Sequence, residues 1–442
     1  FRHARLHGRA RHDHPRRSAS VRWQVRLIPE PDGGADMLIG PCTVVTGGAQ
    51  PDVLEDSAVR VVGAHIAALG PLPVLAAAYP EETLWPARGR VLVPGFINTH
   101  AYLARHLARG LGLRAAAEWR RYDRLLSPED VLWSASAALV EGLRHGVTTV
   151  CDFHRSGACP DLSLSEIVAA AAQVGVRVAT CYGASESDSE VERRSAFEES
   201  LGFASEMARR GDGRMCGVVG VQASTLGGVD TLVREALDVA DGLLGVHVDL
   251  DLDLTPAERW RSRGGWRAES PPTLWAHAES APRGLLGELR ERGDALTAVG
   301  AGSVAALVRE GEVAWGTDAG VNAPPLPDPL LGLGFGTPAE AHYQRLCVNG
   351  ARWAEGHFGR GLGVIAAGSP AALILLDYQP ATEFSGRTFL DHLWSGMLRA
   401  PVSGAMVGGD VVLDNGTLVN VDEREVAARA KECAKRVWDR LG

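Results

Sequence analysis

Pro94-Gly95-Phe96-Ile97-Asn98-Thr99-His100-Ala101-Tyr102-Leu103, continued by Ala104-Arg105-His106-Leu107-Ala108-Arg109-Gly110-Leu111-Gly112, is the stretch whose reading decides the fold. The apolar run Val91–Val93 ends in a Pro94-Gly95 corner, and Phe96-Ile97 then leads to His100. That pattern predicts a short buried strand delivering polar side chains at its C-terminal end. In a parallel α/β barrel, functional side chains gather at that end, so His100 is the first candidate residue.

The chain around it has 442 residues, 45% hydrophobic and 22% charged, which suits one large barrel with an accessory domain. A net charge of −9 argues against nucleic-acid or anionic-membrane partners. No apolar run approaches the roughly 18 residues of a membrane span. The seven cysteines are scattered, odd in number and without a CxxC pair, which fits a reduced, cytoplasmic setting. Residues 1–36 are rich in arginine and nearly devoid of apolar periodicity, and read as a basic, disordered extension.

From Met37 onward, Met37–Thr46 and Ala58–Leu69 read as strands, and Ala372–Leu376 and Val407–Leu413 give further β runs near the other end. Strands and helices alternate between them. Ser127-Pro128-Glu129-Asp130 opens a helix with a capping serine, a first-turn proline and an acid three residues on. Strands follow at Val147–Phe153, Arg177–Tyr182, Cys216–Val221, Leu244–Leu250, Thr273–His277 and Val313–Thr317, with helices between. Such alternation implies parallel strands with right-handed crossovers. The span from 95 to 335 is close to the roughly 250 residues of a TIM barrel. Pro338–Gly350 and Asp422–Arg440 read as helices.

On a barrel, the strand-end candidates are His100, His154, Gln222, His247 with Asp249, His277 and Asp318. Imidazole and carboxylate around one opening suit zinc or iron. A single strand-end histidine is more often a hydrogen-bonded core residue; the regular spacing is what joins them. Asp249, Asp251 and Asp253 alternate with leucines as on a strand edge, Cys151 reads as packed core, and Gly332–Gly336 lacks the strand-to-helix context of a phosphate loop.

These stretches resemble the amidohydrolase superfamily. Residues 94–103 resemble its PGFINTHxHL motif, Gly316-Thr317-Asp318 its GTD motif, and Leu274-Trp275-Ala276-His277 its sixth-strand LxAH pattern. Over roughly Met37 to Glu425 the chain is similar in particular to the aminohydrolases associated with selenium metabolism. The resemblance implies a (β/α)8 TIM-like barrel at 95–362 and a small β-sandwich domain built from 37–94 and 363–421, with a C-terminal helix at 422–442. It also implies one divalent ion, zinc or iron, held by His100, His247, His277 and Asp318. Asp318 would be the catalytic acid–base group, and Gln222 and Tyr102 would face the substrate.

The chain departs from the family pattern at several places. Tyr102 stands where a second ligand histidine is usual, and Gln222 where a substrate-facing histidine is usual. On the fifth strand two registers are open: His247 is the ligand, or it is an outer histidine with Asp249 in the ligand's place. In either register the usual glutamate is replaced, by Leu250 or Leu252. The Asn-Pro-x-Ser loop between the sixth and eighth strands is missing. Two functions follow as expectations. One is deamination of a small, polar, nitrogen-containing, heterocyclic molecule by metal-activated water, with dechlorination or amide cleavage as variants the ligand set does not separate. The other is a catalytically inactive homologue that acts as a binding or assembly subunit. A homo-oligomer is expected from the resemblance alone.

Overall fold

The computed structural model describes residues 36–113, 115–157, 163–211, 213–252, 260–261, 266, 272–299, 313–318 and 339–442. The expected extension, the acidic position Asp253 and the segment Gly332–Gly336 therefore fall wholly or almost wholly outside the described residues.

Eight parallel strands form the central path: Phe96–Ala101, Val147–His154, Arg177–Ser185, Val219–Ala223, Val246–Leu250, Leu274–Ala276, Ala295–Val299 and Val313–Gly316. We call them the first to eighth barrel strands. Each ladders with its predecessor in parallel. The circle closes where the Thr317 N–H donates to the His100 carbonyl at 2.8 Å. The architecture is a TIM-like barrel, as expected. The sixth strand is shorter than its sequence run, and the seventh was not foreseen.

Local chemistry explains the element ends. The helix Pro128–Arg144 opens with a reciprocal Ser127/Asp130 capping box and a first-turn proline. Helix Glu190–Arg210 starts with the same device, Ser189/Glu192, and stops at Gly211 with φ 65°. The Pro94-Gly95 corner needs its glycine, because a Cβ there would lie 2.2 Å from Thr148 Oγ1.

The strands from both ends of the chain join in one hydrogen-bonded nine-stranded sheet. Val91–Pro94, which leads into the first barrel strand, pairs in parallel with Met37–Val45 and antiparallel with Ala372–Leu376. The hydrogen-bonded ladder thus runs straight up to the barrel entrance. Helix Asn349–Phe358 packs under the barrel, placing Trp353 and Ala354 in one buried cluster with Ile97, Cys151, Phe153, Val218 and Leu274. The last helix, Glu423–Leu441, lies against Pro128–Arg144 and the turn Leu103–Ala108, where Cys433 and Ala430 pack with Leu107. No helix among the described residues is long and apolar enough to cross a membrane.

Candidate metal centre at the mouth of the barrel

Inward-facing positions at the C-terminal strand ends place His100, His247, Asp249, His277 and Asp318 together. His100 sits at the end of the first strand and is fully buried. Its backbone N–H donates to Asn98 Oδ1 at 3.2 Å, and Asn98 Nδ2 donates to Thr317 Oγ1 at 2.8 Å, tying the first strand to the eighth. The turn beyond is pinned by Asp152, which accepts from the Leu103 N–H at 2.8 Å and the Thr180 hydroxyl at 2.7 Å. Burial raises Asp152 to about 7 against the pull of these donors.

One ligand atom each from His100, His277 and Asp318 lies within 4.8 Å of the others. His277 Nε2 is 3.6 Å from Asp318 Oδ2, and His100 Nε2 is 4.0 Å from Asp318 Oδ1. His277 and Asp318 both adopt left-handed backbone, with φ 56° and 55°. A non-glycine residue in that region is uncommon and costs about 1–3 kcal/mol, and such strain gathers at functional sites. Here it lifts both side chains off the strand ends into the cluster.

Asp249 belongs to the same group in space. Its Oδ1 is 3.7 Å from His277 Nε2 and has no hydrogen-bond partner among the described residues. Its Oδ2 accepts from the Tyr102 hydroxyl in a very short hydrogen bond and from Gln222 Nε2 at 2.8 Å. Gln222 Nε2 also reaches the Tyr102 oxygen at 3.0 Å. The two residues expected to face substrate are therefore bonded to this carboxylate.

His247, foreseen as a ligand, points elsewhere: its Nε2 is 3.0 Å from His100 Nδ1. A His100 that offers its Nε2 lone pair to the cluster carries its proton on Nδ1, and that N–H then donates to His247 and fixes the ring. The geometry thus matches the register with His247 outside and Asp249 at the ligand position. His154 bonds Ser156 Oγ at 2.9 Å, and His106 lies 3.4 Å from Glu141, so neither joins the cluster. Cys151 is packed core.

Arg105 was not singled out in the sequence. It is buried, forms two hydrogen bonds with Asp123 at 3.0 and 2.8 Å, and lays its guanidinium 3.7 Å over the Tyr102 ring. A cavity of about 240 Å³ lies beside this pair, lined by Arg120, Asp123, Arg155, Tyr182 and Asp188. His100, His277 and Asp318 do not line it.

The electrostatics ask for a positive charge. Burial, with His247, His277 and Arg105 adding to it, drives His100 well below the ordinary histidine value, and burial takes His247 to about 4, so both are neutral. Burial alone would lower His277, but Asp318, Glu279 and Asp249 overcome it and raise it to about 10. A proton on His277 then does what a cation would do between two carboxylates. The donor set fits a divalent cation, because His100 Nε2 and Asp249 Oδ1 are buried and find no hydrogen-bond partner among the described residues.

The histidine–aspartate cluster thus sits at the C-terminal mouth of a parallel barrel, the face where barrel enzymes carry their active sites. Residues 91–274 match the model of the Amidohydrolase family. Among its relatives is a 5-methylthioadenosine/S-adenosylhomocysteine deaminase of Pelotomaculum thermopropionicum. That protein is 24% identical, with 92% of this chain and 100% of the relative aligned. The enzyme of the same name from Acetivibrio thermocellus is 23% identical, over 91% of this chain and 99% of the relative. An adenosine deaminase from Xanthomonas campestris with bound zinc shares the fold, with TM-score 0.70, 20% identity, and 92% of this chain and 100% of that one covered. So does the zinc complex of an atrazine chlorohydrolase from Arthrobacter aurescens, with TM-score 0.67, 20% identity, and 90% and 100% covered.

Proposed function

We propose that the chain is a hydrolase of carbon–nitrogen bonds other than peptide bonds, removing an amino group from a small nitrogen heterocycle with water. The observation that carries this reading is the convergence of His100, His277 and Asp318, which would hold a divalent ion, zinc or iron. The names of the relatives support the substrate class, including adenosine derivatives. A bound ion would supply Lewis acidity and make water nucleophilic near neutral pH. Asp318, at the end of the eighth strand, would take the proton from the attacking water and pass it to the departing amine. Tyr102, neutral because burial and Asp249 keep its phenol well above the ordinary value, would hold its proton throughout. Gln222, whose Nε2 is taken by Asp249 and Tyr102, keeps its amide oxygen for a ring N–H of the substrate. His247 would orient His100 instead of binding the ion.

A second reading is favoured by one observation: with Asp249 at the ligand position, Leu252 stands just past the fifth strand where an acid is usual, so one proton-transfer group is gone. On that reading the barrel is a binding subunit, and a homo-oligomer would be its working form. Elemental analysis of protein purified without chelators separates the two. Near-stoichiometric zinc or iron, lost in His277→Ala and Asp318→Ala, together with ammonia release from an aminated purine, would support the hydrolase. A folded, metal-free protein that cannot be reloaded would refute it. Size-exclusion chromatography with light scattering reads the oligomeric state.

A further inference from the structure

We infer that Asp249 is a fourth protein ligand of the metal centre, and that Tyr102 and Gln222 are the positioning residues that hold it there. This rests on the proposed metal-dependent reading.

The geometry divides the Asp249 carboxylate into two halves. Oδ2 is saturated by the Tyr102 hydroxyl, just past the first barrel strand, and the Gln222 amide, on the fourth. Oδ1 receives nothing, is buried, and lies 3.7 Å from His277 Nε2, close to the 3.6 Å that separates that nitrogen from Asp318 Oδ2. A carboxylate that offers one lone oxygen to a cluster while its second oxygen is hydrogen-bonded is the arrangement seen in supported metal ligands. Left unbound, that buried oxygen costs about 1–3 kcal/mol, more for a charged group. Among the described residues it faces only the His277 imidazole at 3.7 Å, too far for a hydrogen bond.

Tyr102 is then something other than a failed ligand. Its hydroxyl is committed to Asp249, and its ring is clamped on one face by the Arg105 guanidinium at 3.7 Å. Phe153 sits edge-on, with ring centroids 5.5 Å apart. Arg105 is itself fixed by Asp123. The side chain at 102 and the side chain at 249 make a matched pair: an aspartate supplies the ligand atom, and a tyrosine two residues past His100 orients it. The charge also balances. Two neutral imidazoles and two carboxylates, Asp249 and Asp318, neutralise a divalent ion, whereas a set with one carboxylate leaves one positive charge. A site with that much oxygen character accepts harder divalent ions alongside zinc.

The test measures metal affinity in the purified full chain, stripped and then titrated with Zn(II) against a chromophoric chelator, with the visible bands of the Co(II) form as a second readout. Asp249→Asn is expected to weaken Zn(II) on the order of 100-fold or more and to change the Co(II) spectrum. Tyr102→Phe is expected to weaken it by about tenfold to 100-fold, the size of losses in outer-shell support. Gln222→Leu should act in the same direction as Tyr102→Phe. Circular dichroism and thermal melts identify any variant that fails to fold, and Tyr102→Phe keeps the test open should Asp249→Asn be such a variant. Asp249→Asn with wild-type affinity and spectrum would overturn the inference and leave the three-residue centre standing. So would Tyr102→Phe that lowers melting temperature alone. A wild-type chain that takes up no metal would instead sink the hydrolase reading, and this inference with it.

Discussion

Replacing Arg105 by methionine removes one half of a buried ion pair and leaves the other half behind. Arg105 and Asp123 are 7% and 2% exposed and bonded twice, at 3.0 and 2.8 Å. Asp123 would keep a charge with little water and no guanidinium, an arrangement that costs about 3–5 kcal/mol. The stack of Arg105 on Tyr102 would also go, a contribution of about 1–2 kcal/mol when desolvated. A chain of 442 residues has an unfolding entropy of about 0.9 kcal/mol per kelvin near the midpoint, so the melt should fall by about 4–8 °C. Asp123→Leu alone should fall by a similar amount for the mirror-image reason. The double variant Arg105→Met/Asp123→Leu removes both charges and fills the space with carbon, and should recover most of the loss. Differential scanning fluorimetry on the four proteins gives the cycle. A drop under about 1 °C in the single variants, or a double variant that merely adds the two losses, would refute the view that the pair's desolvation dominates.

Acid should destabilise the fold through His357, which burial lowers to about 4 and whose Nε2 finds no partner among the described residues. Between about 6.5 and 4 the unfolded chain takes up a proton that the folded one refuses, so stability falls with pH by up to about 3 kcal/mol. In urea titrations across that range, His357→Gln should show a flatter profile, and an unchanged slope would count against the assignment. Arg177, 3% exposed with Nε and Nη1 unbonded and a pKa lowered to about 10 by burial and Arg214, should be replaceable by methionine with a gain of about 1–4 kcal/mol in urea unfolding. A loss in Arg177→Met would mean that something holds the guanidinium. Gly183→Ala puts a Cβ 2.1 Å from the Phe153 ring, which stands against Tyr102 and His247. Overpacking there costs about 1–3 kcal/mol. Metal affinity should drop with stability, and a variant that changes neither would show that the ring can move aside.

The barrel was legible because strand and helix periods alternate over a long span, and because caps such as Ser127/Asp130 and Ser189/Glu192 mark helix starts chemically. The seventh strand, Ala295–Val299, escaped notice: it is a five-residue run with two alanines, and its β character comes from the ladders on either side. His247 against Asp249 was undecidable by pattern, since period two sends both into the lumen and only cross-strand distances separate them. Arg105 carried no signal at all. Its partner Asp123 is the last residue of the following helix, Ala116–Asp123, and nothing in an Ala-Arg-His-Leu run announces a buried cation.

The last helix offers a consequence in time. Trp438 Nε1 donates to the Leu107 carbonyl at 2.8 Å, and Arg436 and Arg440 reach the wholly buried Asp130 at 3.2 and 3.0 Å. These contacts brace the turn Leu103–Ala108, on which Arg105 rides. During synthesis, a nascent chain halted before Glu423 already carries His100, His277 and Asp318, yet lacks the brace behind its first turn. The order of translation is thus the reverse of the order of completion. The residues of the mouth leave the ribosome early, and their scaffold tightens only when the final turns of helix arrive.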